Sequence, residues 1–92
     1  MTEPATATIR IVNELGLHAR AATMLVQLAG EYESELVLVK DGREVNGKSI
    51  MGVLMLTATL GSEVEVRAEG PDAKQLVAAV AALAADRFGE PR

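Results

Sequence analysis

The stretch EVEVRAE, residues 63–69, alternates without interruption, with Val64, Val66 and Ala68 set against Glu63, Glu65, Arg67 and Glu69. Successive side chains of a strand point to opposite faces, so a period of two makes one apolar face and one charged face. Such a strand fits an antiparallel sheet that is packed on one side and wet on the other. The rest of the chain must therefore supply partner strands and a layer that covers the apolar side.

ATATIRIV (5–12) is rich in β-branched residues, with Ile9 and Ile11 facing one way and Thr8 and Arg10 the other. ELVLVK (35–40) reads as a mostly apolar strand, and Asp41-Gly42 is a hairpin signal that returns the chain through REVNG (43–47). NELGL turns the chain after the first strand. From Ala19 to Ala29 the spacing becomes helical, with Ala21, Leu25 and Leu28 beside Ala22, Leu25 and Ala29, and Gly30 is the expected stop. KSIMGVLML (48–56) predicts a short helix, weakened by Gly52 and capped by Ser49. Gly70-Pro71-Asp72 opens a last helix over 72–88, where Leu76, Val80 and Leu83 join Ala73, Val77 and Ala84 in a broad apolar stripe. The order β-α-β-β-α-β-α predicts an α+β fold, a two-layer open-faced sandwich with helices on one face of a mostly antiparallel sheet. No internal repeat, linker or low-complexity segment divides the 92 residues, which predicts one domain spanning 1–92.

Several function classes are disfavoured by composition. A net charge of -4 opposes a nucleic-acid footprint, and Tyr32 and Phe88 alone make no base-stacking platform. With no cysteine there is neither a disulfide framework nor a thiolate metal site. No apolar run approaches the roughly 20 residues of a membrane span. MTEPATA lacks the basic and apolar segments of a leader, so a cytoplasmic protein without membrane contact is expected; a monomer is expected as well.

The chain holds one histidine, His18, inside GLHARAA (16–22). A lone histidine is often an exposed or capping bystander, and no second imidazole or thiolate here would complete a metal site. A Ser-His-Asp arrangement has no nucleophile elbow to support it. Its position, however, is where a strand-to-helix loop ends and a helix begins. The first N–H groups of a helix have no internal partners, and with the helix dipole they favour an anion. The same field disfavours imidazolium, so a neutral, nucleophilic ring is expected. Arg20, two residues on, brings a fork of donors matched to phosphate oxygens. The small residues Ala19, Ala21 and Ala22 are expected to leave room for a larger group. Together these features predict a site for a transient phosphoryl group on His18.

GLHARAA together with VNGKSIMGVLML resembles the phosphocarrier protein HPr family of the phosphoenolpyruvate-dependent phosphotransferase system, and the likeness covers nearly the whole chain. The resemblance implies a four-stranded antiparallel sheet covered by three helices. It implies phosphorylation of His18 on Nδ1 by phospho-Enzyme I and transfer to a IIA domain, with Arg20 matching the active-site arginine and no cofactor. Residue 21 departs from the pattern, being Ala where the family usually has proline.

Ser49 is first a helix N-cap. KSIMGV also resembles the segment of HPr proteins phosphorylated on serine by HPr kinase/phosphorylase, and a phosphate at a helix N-terminus is electrostatically favourable. Ile50 and Met51 match family positions in an exposed docking patch that Met24 and Leu54 would extend, although each is equally a core candidate. Two functions follow: a phosphoryl carrier, in sugar uptake or a nitrogen-related regulatory branch, or an interaction-only regulatory module using the Ile50/Met51 patch. Arg20 beside His18 separates them, because a pure adaptor has no use for it.

Overall fold

A computed structural model describes residues 3–92. The first two residues, part of the stretch read as lacking a leader, lie outside the described residues. The elements follow the order β1 (Glu3–Arg10), α1 (Ala19–Ala29), β2 (Glu35–Lys40), β3 (Arg43–Asn46), α2 (Ile50–Met55), β4 (Glu63–Gly70) and α3 (Ala73–Ala85). The four strands form one sheet in the order β1-β4-β2-β3. Every neighbouring pair is antiparallel. β4 lies between β1 and β2, paired with Ile9 opposite Val64 on one side and Leu38 opposite Val66 on the other.

The alternation in β4 does what its period requires. Val64, Val66 and Ala68 are buried with Ile9, Leu36 and Leu38, under Leu25 of α1, Val53 of α2 and Leu76 and Val80 of α3. Fully burying a side chain of this kind contributes about 1.5–3 kcal/mol. On the opposite face Arg67 pairs with Glu65 at 3.0 Å and Glu44 at 3.5 Å, and Arg10 with Glu63 at 3.4 Å. Asp41 and Gly42 both adopt positive φ, 51° and 79°, which matches the right-handed twist of the strands they join.

β1, read over 5–12, lies at Glu3–Arg10, and three further corrections concern the helices. The predicted 48–56 helix shortens to Ile50–Met55, because Ser49 stands outside it as its cap. A Cβ on Gly52 would come 3.2 Å from the main-chain oxygen of Asn46, a tight approach where α2 crosses the end of β3. Asp72 does not cap its own helix. Its carboxylate instead accepts from the N–H groups of Glu33 and Ser34, at 3.0 and 2.9 Å, and from the Ser34 hydroxyl. It thereby ties the loop before β2 to the loop before α3. These bonds, led by the Ser34 hydroxyl, hold its carboxyl below the ordinary carboxylate value.

The third correction matters most for the site. The last helix, expected to run to residue 88, ends at Ala85, and a left-handed turn follows over Arg87–Gly89. Arg87 and Phe88 take left-handed φ of 59° and 53°, which costs about 1–2 kcal/mol per residue. Burial of the Phe88 ring offsets much of that cost. Phe88, which was not among the stripe residues, is buried in the core and is reached by reversing the chain. Residues 90–92 are thus carried back over the loop that precedes α1.

Candidate functional site

The loop between β1 and α1 is pinned from two sides. Leu17 N–H donates to Ala58 O at 2.9 Å, and Glu14 N–H donates to Arg92 O at 2.9 Å. Gly16, at φ 67°, lies so close to the 58–59 backbone that an added Cβ would meet Ala58 O at 2.5 Å. Only glycine allows both the conformation and the approach. The chain then enters α1 through His18, the N-cap residue, whose backbone is extended and whose side chain caps nothing. Its carbonyl accepts the first helical bond, from Ala22 N–H at 2.8 Å.

The ring of His18 is instead held by Glu90. Nε2 of His18 meets Oε2 of Glu90, while the other carboxylate oxygen accepts from Asn13 Nδ2 at 2.9 Å. Glu90 is only 8% exposed. The hydrogen bond from His18 holds its carboxyl below the ordinary value of 4.5, with Asn13 and the charges of His18 and Arg20 adding to the effect and burial opposing it. An ionised carboxylate only accepts, so the proton of a neutral ring sits on Nε2 and the lone pair is on Nδ1. That is the nitrogen the family resemblance implies.

Arg20 is exposed on the first turn, and its guanidinium joins no ion pair among the described residues. With Glu14, Leu15, Glu90, Pro91 and Arg92 it lines a shallow pocket of about 260 Å³. The expectation that Ala19, Ala21 and Ala22 all leave room at the site needs correction. Ala21 and Ala22 are fully buried, facing the core, and Ala19 alone is exposed.

Ser49 caps α2 by accepting from Gly52 N–H at 3.1 Å. Ile50 is 42% and Met51 68% exposed, while Met24 and Leu54 are half-buried. Met24 Cε lies 3.8 Å from where a Cβ on Gly89 would be, so this side chain reaches towards the C-terminal turn. Met55, four residues after Met51 on the same helix, is also exposed, at 57%, and was not singled out from the sequence. Asn13 and Glu90 were missed as well. Asn13 was read only as part of a turn, and Glu90 fell beyond a helix that was expected to continue; Gly89 and Pro91 were the available signals of an earlier stop.

The family model described as "PTS HPr component phosphorylation site" matches residues 5–86. The phosphocarrier protein HPr of Cupriavidus necator is 51% identical over 80 residues, covering 87% of this chain and 90% of that protein. A crystal structure of HPr from Thermoanaerobacter tengcongensis superposes with a TM-score of 0.92 at 40% identity, covering 96% of this chain and 99% of that one. For the phosphocarrier protein HPr of Bacillus anthracis the TM-score is 0.83 at 35% identity, covering 86% and 94%. No helix among the described residues is long and apolar enough to cross a membrane. The likeness in sequence and in fold runs through the loop that carries His18 and through the start of α2, and the chain belongs to the HPr family of phosphotransferase-system phosphocarriers.

Proposed function

We propose that this chain accepts a phosphoryl group on Nδ1 of His18 from phospho-Enzyme I and passes it to a IIA-type domain. The observation that carries this reading is the His18–Glu90 pair at the uncapped start of α1, with Arg20, which joins no ion pair among the described residues, two residues on. The Nδ1 lone pair attacks phosphorus, the donor's bond to phosphorus breaks, and a phosphoramidate forms on His18. In the second transfer the acceptor attacks, the P–Nδ1 bond breaks, and the imidazole regains its lone pair. Arg20 and the first helical N–H groups balance the phosphoryl charge as it arrives and leaves. The protein carries the group and turns over nothing by itself.

The whole chain, 1–92, acts as one cytoplasmic, monomeric domain in this reading. Ile50, Met51 and Leu54, with Met24 at the edge, form the surface that Enzyme I and the IIA domain share. Ser49 is a site for an HPr kinase/phosphorylase, because its hydroxyl stands at the start of a helix where a phosphate is tolerated. Sugar uptake is the pathway proposed, with a nitrogen-related branch as its variant. The exposure of Ile50 and Met51 also favours a second reading, an interaction-only module with His18 idle.

Incubation with phosphoenolpyruvate and Enzyme I, followed by intact-mass measurement, separates the two. The carrier reading expects one added phosphoryl group, labile to acid and stable to base, that is absent from His18→Ala. An equally labelled His18→Ala protein, or an unlabelled wild type, overturns it.

A further inference from the structure

We infer that Asn13 is a positioning residue for His18: it holds the Glu90 side chain so that the remaining end of residue 90 faces the imidazole, and the chemistry of that end sets which ring nitrogen carries the proton. The functional consequence rests on the carrier reading above; the structural claim stands by itself.

Asn13 is fully buried, and its Nδ2 donates twice, to Gly16 O at 2.8 Å and to Glu90 Oε1 at 2.9 Å. Both neighbours are acceptors. The amide orientation is therefore forced, because the reversed one would set Oδ1 against a carbonyl and a carboxylate. In the forced orientation Oδ1 is left buried without a partner. A buried, unsatisfied acceptor is a standing cost to stability, and native structures keep few of them. The arrangement that retains this one joins the turn before α1 to a carboxylate brought from 77 residues away.

Because Asn13 occupies Oε1, Oε2 is the oxygen that meets His18. The two oxygens of a carboxylate are equivalent, so in the native protein Asn13 sets the position of Glu90 while the carboxylate sets the tautomer. The dependence on Asn13 becomes visible when the two ends of residue 90 differ. In Glu90→Gln the side chain has one accepting end, and Asn13 demands it. The amide NH₂ must then face His18 Nε2, which has to accept. The ring proton moves to Nδ1, and the nucleophilic lone pair is lost from that nitrogen. If Asn13 is also removed, the glutamine is free to turn its oxygen to the ring.

The test is ¹⁵N NMR of the imidazole, recorded above its titration range, in wild type, Glu90→Gln and Asn13→Ala/Glu90→Gln. Phosphoryl uptake from phosphoenolpyruvate and Enzyme I is measured in parallel. The expected wild-type ring is protonated at Nε2. Glu90→Gln, close to isosteric with the native residue, moves the proton to Nδ1 and slows uptake roughly tenfold or more, as holding a reacting imidazole in the wrong tautomer does. The double variant returns the proton to Nε2 and recovers most of the rate. A loss of packing alone would not be rescued by a second loss. Retention of Nε2–H in Glu90→Gln overturns the inference, as does a double variant whose spectrum matches Glu90→Gln. If the tautomers shift as expected while wild type takes up no phosphoryl group, the positioning role stands and the carrier reading falls. If wild type is phosphorylated while Glu90→Gln keeps its tautomer, only the positioning role falls.

Discussion

Two helix starts in this molecule treat the same problem in opposite ways. α2 opens at Ser49, whose Oγ accepts from Gly52 N–H, so one of its unsatisfied donors is closed off by its own cap. α1 opens at His18 with a similarly extended backbone and no side-chain cap. The difference follows from what each helix rests on. α1 has 11 residues and buries Ala21, Ala22, Leu25 and Ala29, whereas α2 has 6 residues and buries only Val53. A helix of one and a half turns depends on its cap, while a helix with a buried face three turns long does not. The longer helix can leave its first N–H groups open to an anion.

The largest effect expected from breaking this contrast is at Arg20. Arg20→Ala should slow phosphoryl uptake about 10²-fold, the scale for losing one preorganised donor at a developing charge. Arg20→Lys should restore part of the rate, since a point charge lacks the fork. Rapid-quench transfer kinetics check this, and unchanged rates in both variants would remove Arg20 from the site.

At the capped start, Ser49→Asp keeps a good N-cap and adds a negative charge to the proposed docking surface. Uptake from Enzyme I should fall roughly tenfold at low salt and by less at high salt, with helicity unchanged. Ser49→Ala should leave uptake intact and cost about 1 kcal/mol in denaturant unfolding. If both substitutions act on uptake alike, Ser49 works through the shape of the helix rather than through charge.

Acid titration tests how His18 is held. The Glu90 carboxyl lies below its ordinary value, so folding disfavours its protonated form. The stability this contributes is complete above the ordinary value of 4.5 and is lost as pH falls through the lower folded value. Unfolding free energies measured down this range should fall less steeply for Glu90→Gln than for wild type. Parallel curves would mean that the pairing with His18 does not favour ionised Glu90 in solution.

The smallest effect concerns Ala21, where this chain departs from its family. His18 is the N-cap, so Ala21 stands in the first turn, where its N–H has no helical acceptor. Ala21→Pro should raise stability by about 0.4–1 kcal/mol by restricting the unfolded chain. Phosphorylation should persist, with an altered lifetime of phospho-His18. A clear loss of stability in thermal melts would mean that the core around this fully buried residue has no space for the ring.

How far the site could be read from the sequence depends on separation along the chain. His18, Arg20 and the open helix start lie within a few residues, and local spacing located all three. The alternation in β4 and the hairpin at Asp41-Gly42 were legible for the same reason. Glu90 was not, because the last helix was expected to run on to residue 88, whereas it ends at Ala85. Local spacing carried no information on the reversal that buries Phe88.

The sequence by itself determined the element order, the buried face of each strand and helix, and the presence of an imidazole at a helix start. These follow from periodicity and caps, which act over a few residues. The tertiary structure alone decided that β4 sits between β1 and β2, and that the chain turns back at Arg87 and Phe88. It also decided that a carboxylate 72 residues from His18 holds that ring. Left-handed backbone at two non-glycine residues is unfavourable locally, and only burial of Phe88 and the partners waiting at Asn13 and His18 make it worth adopting.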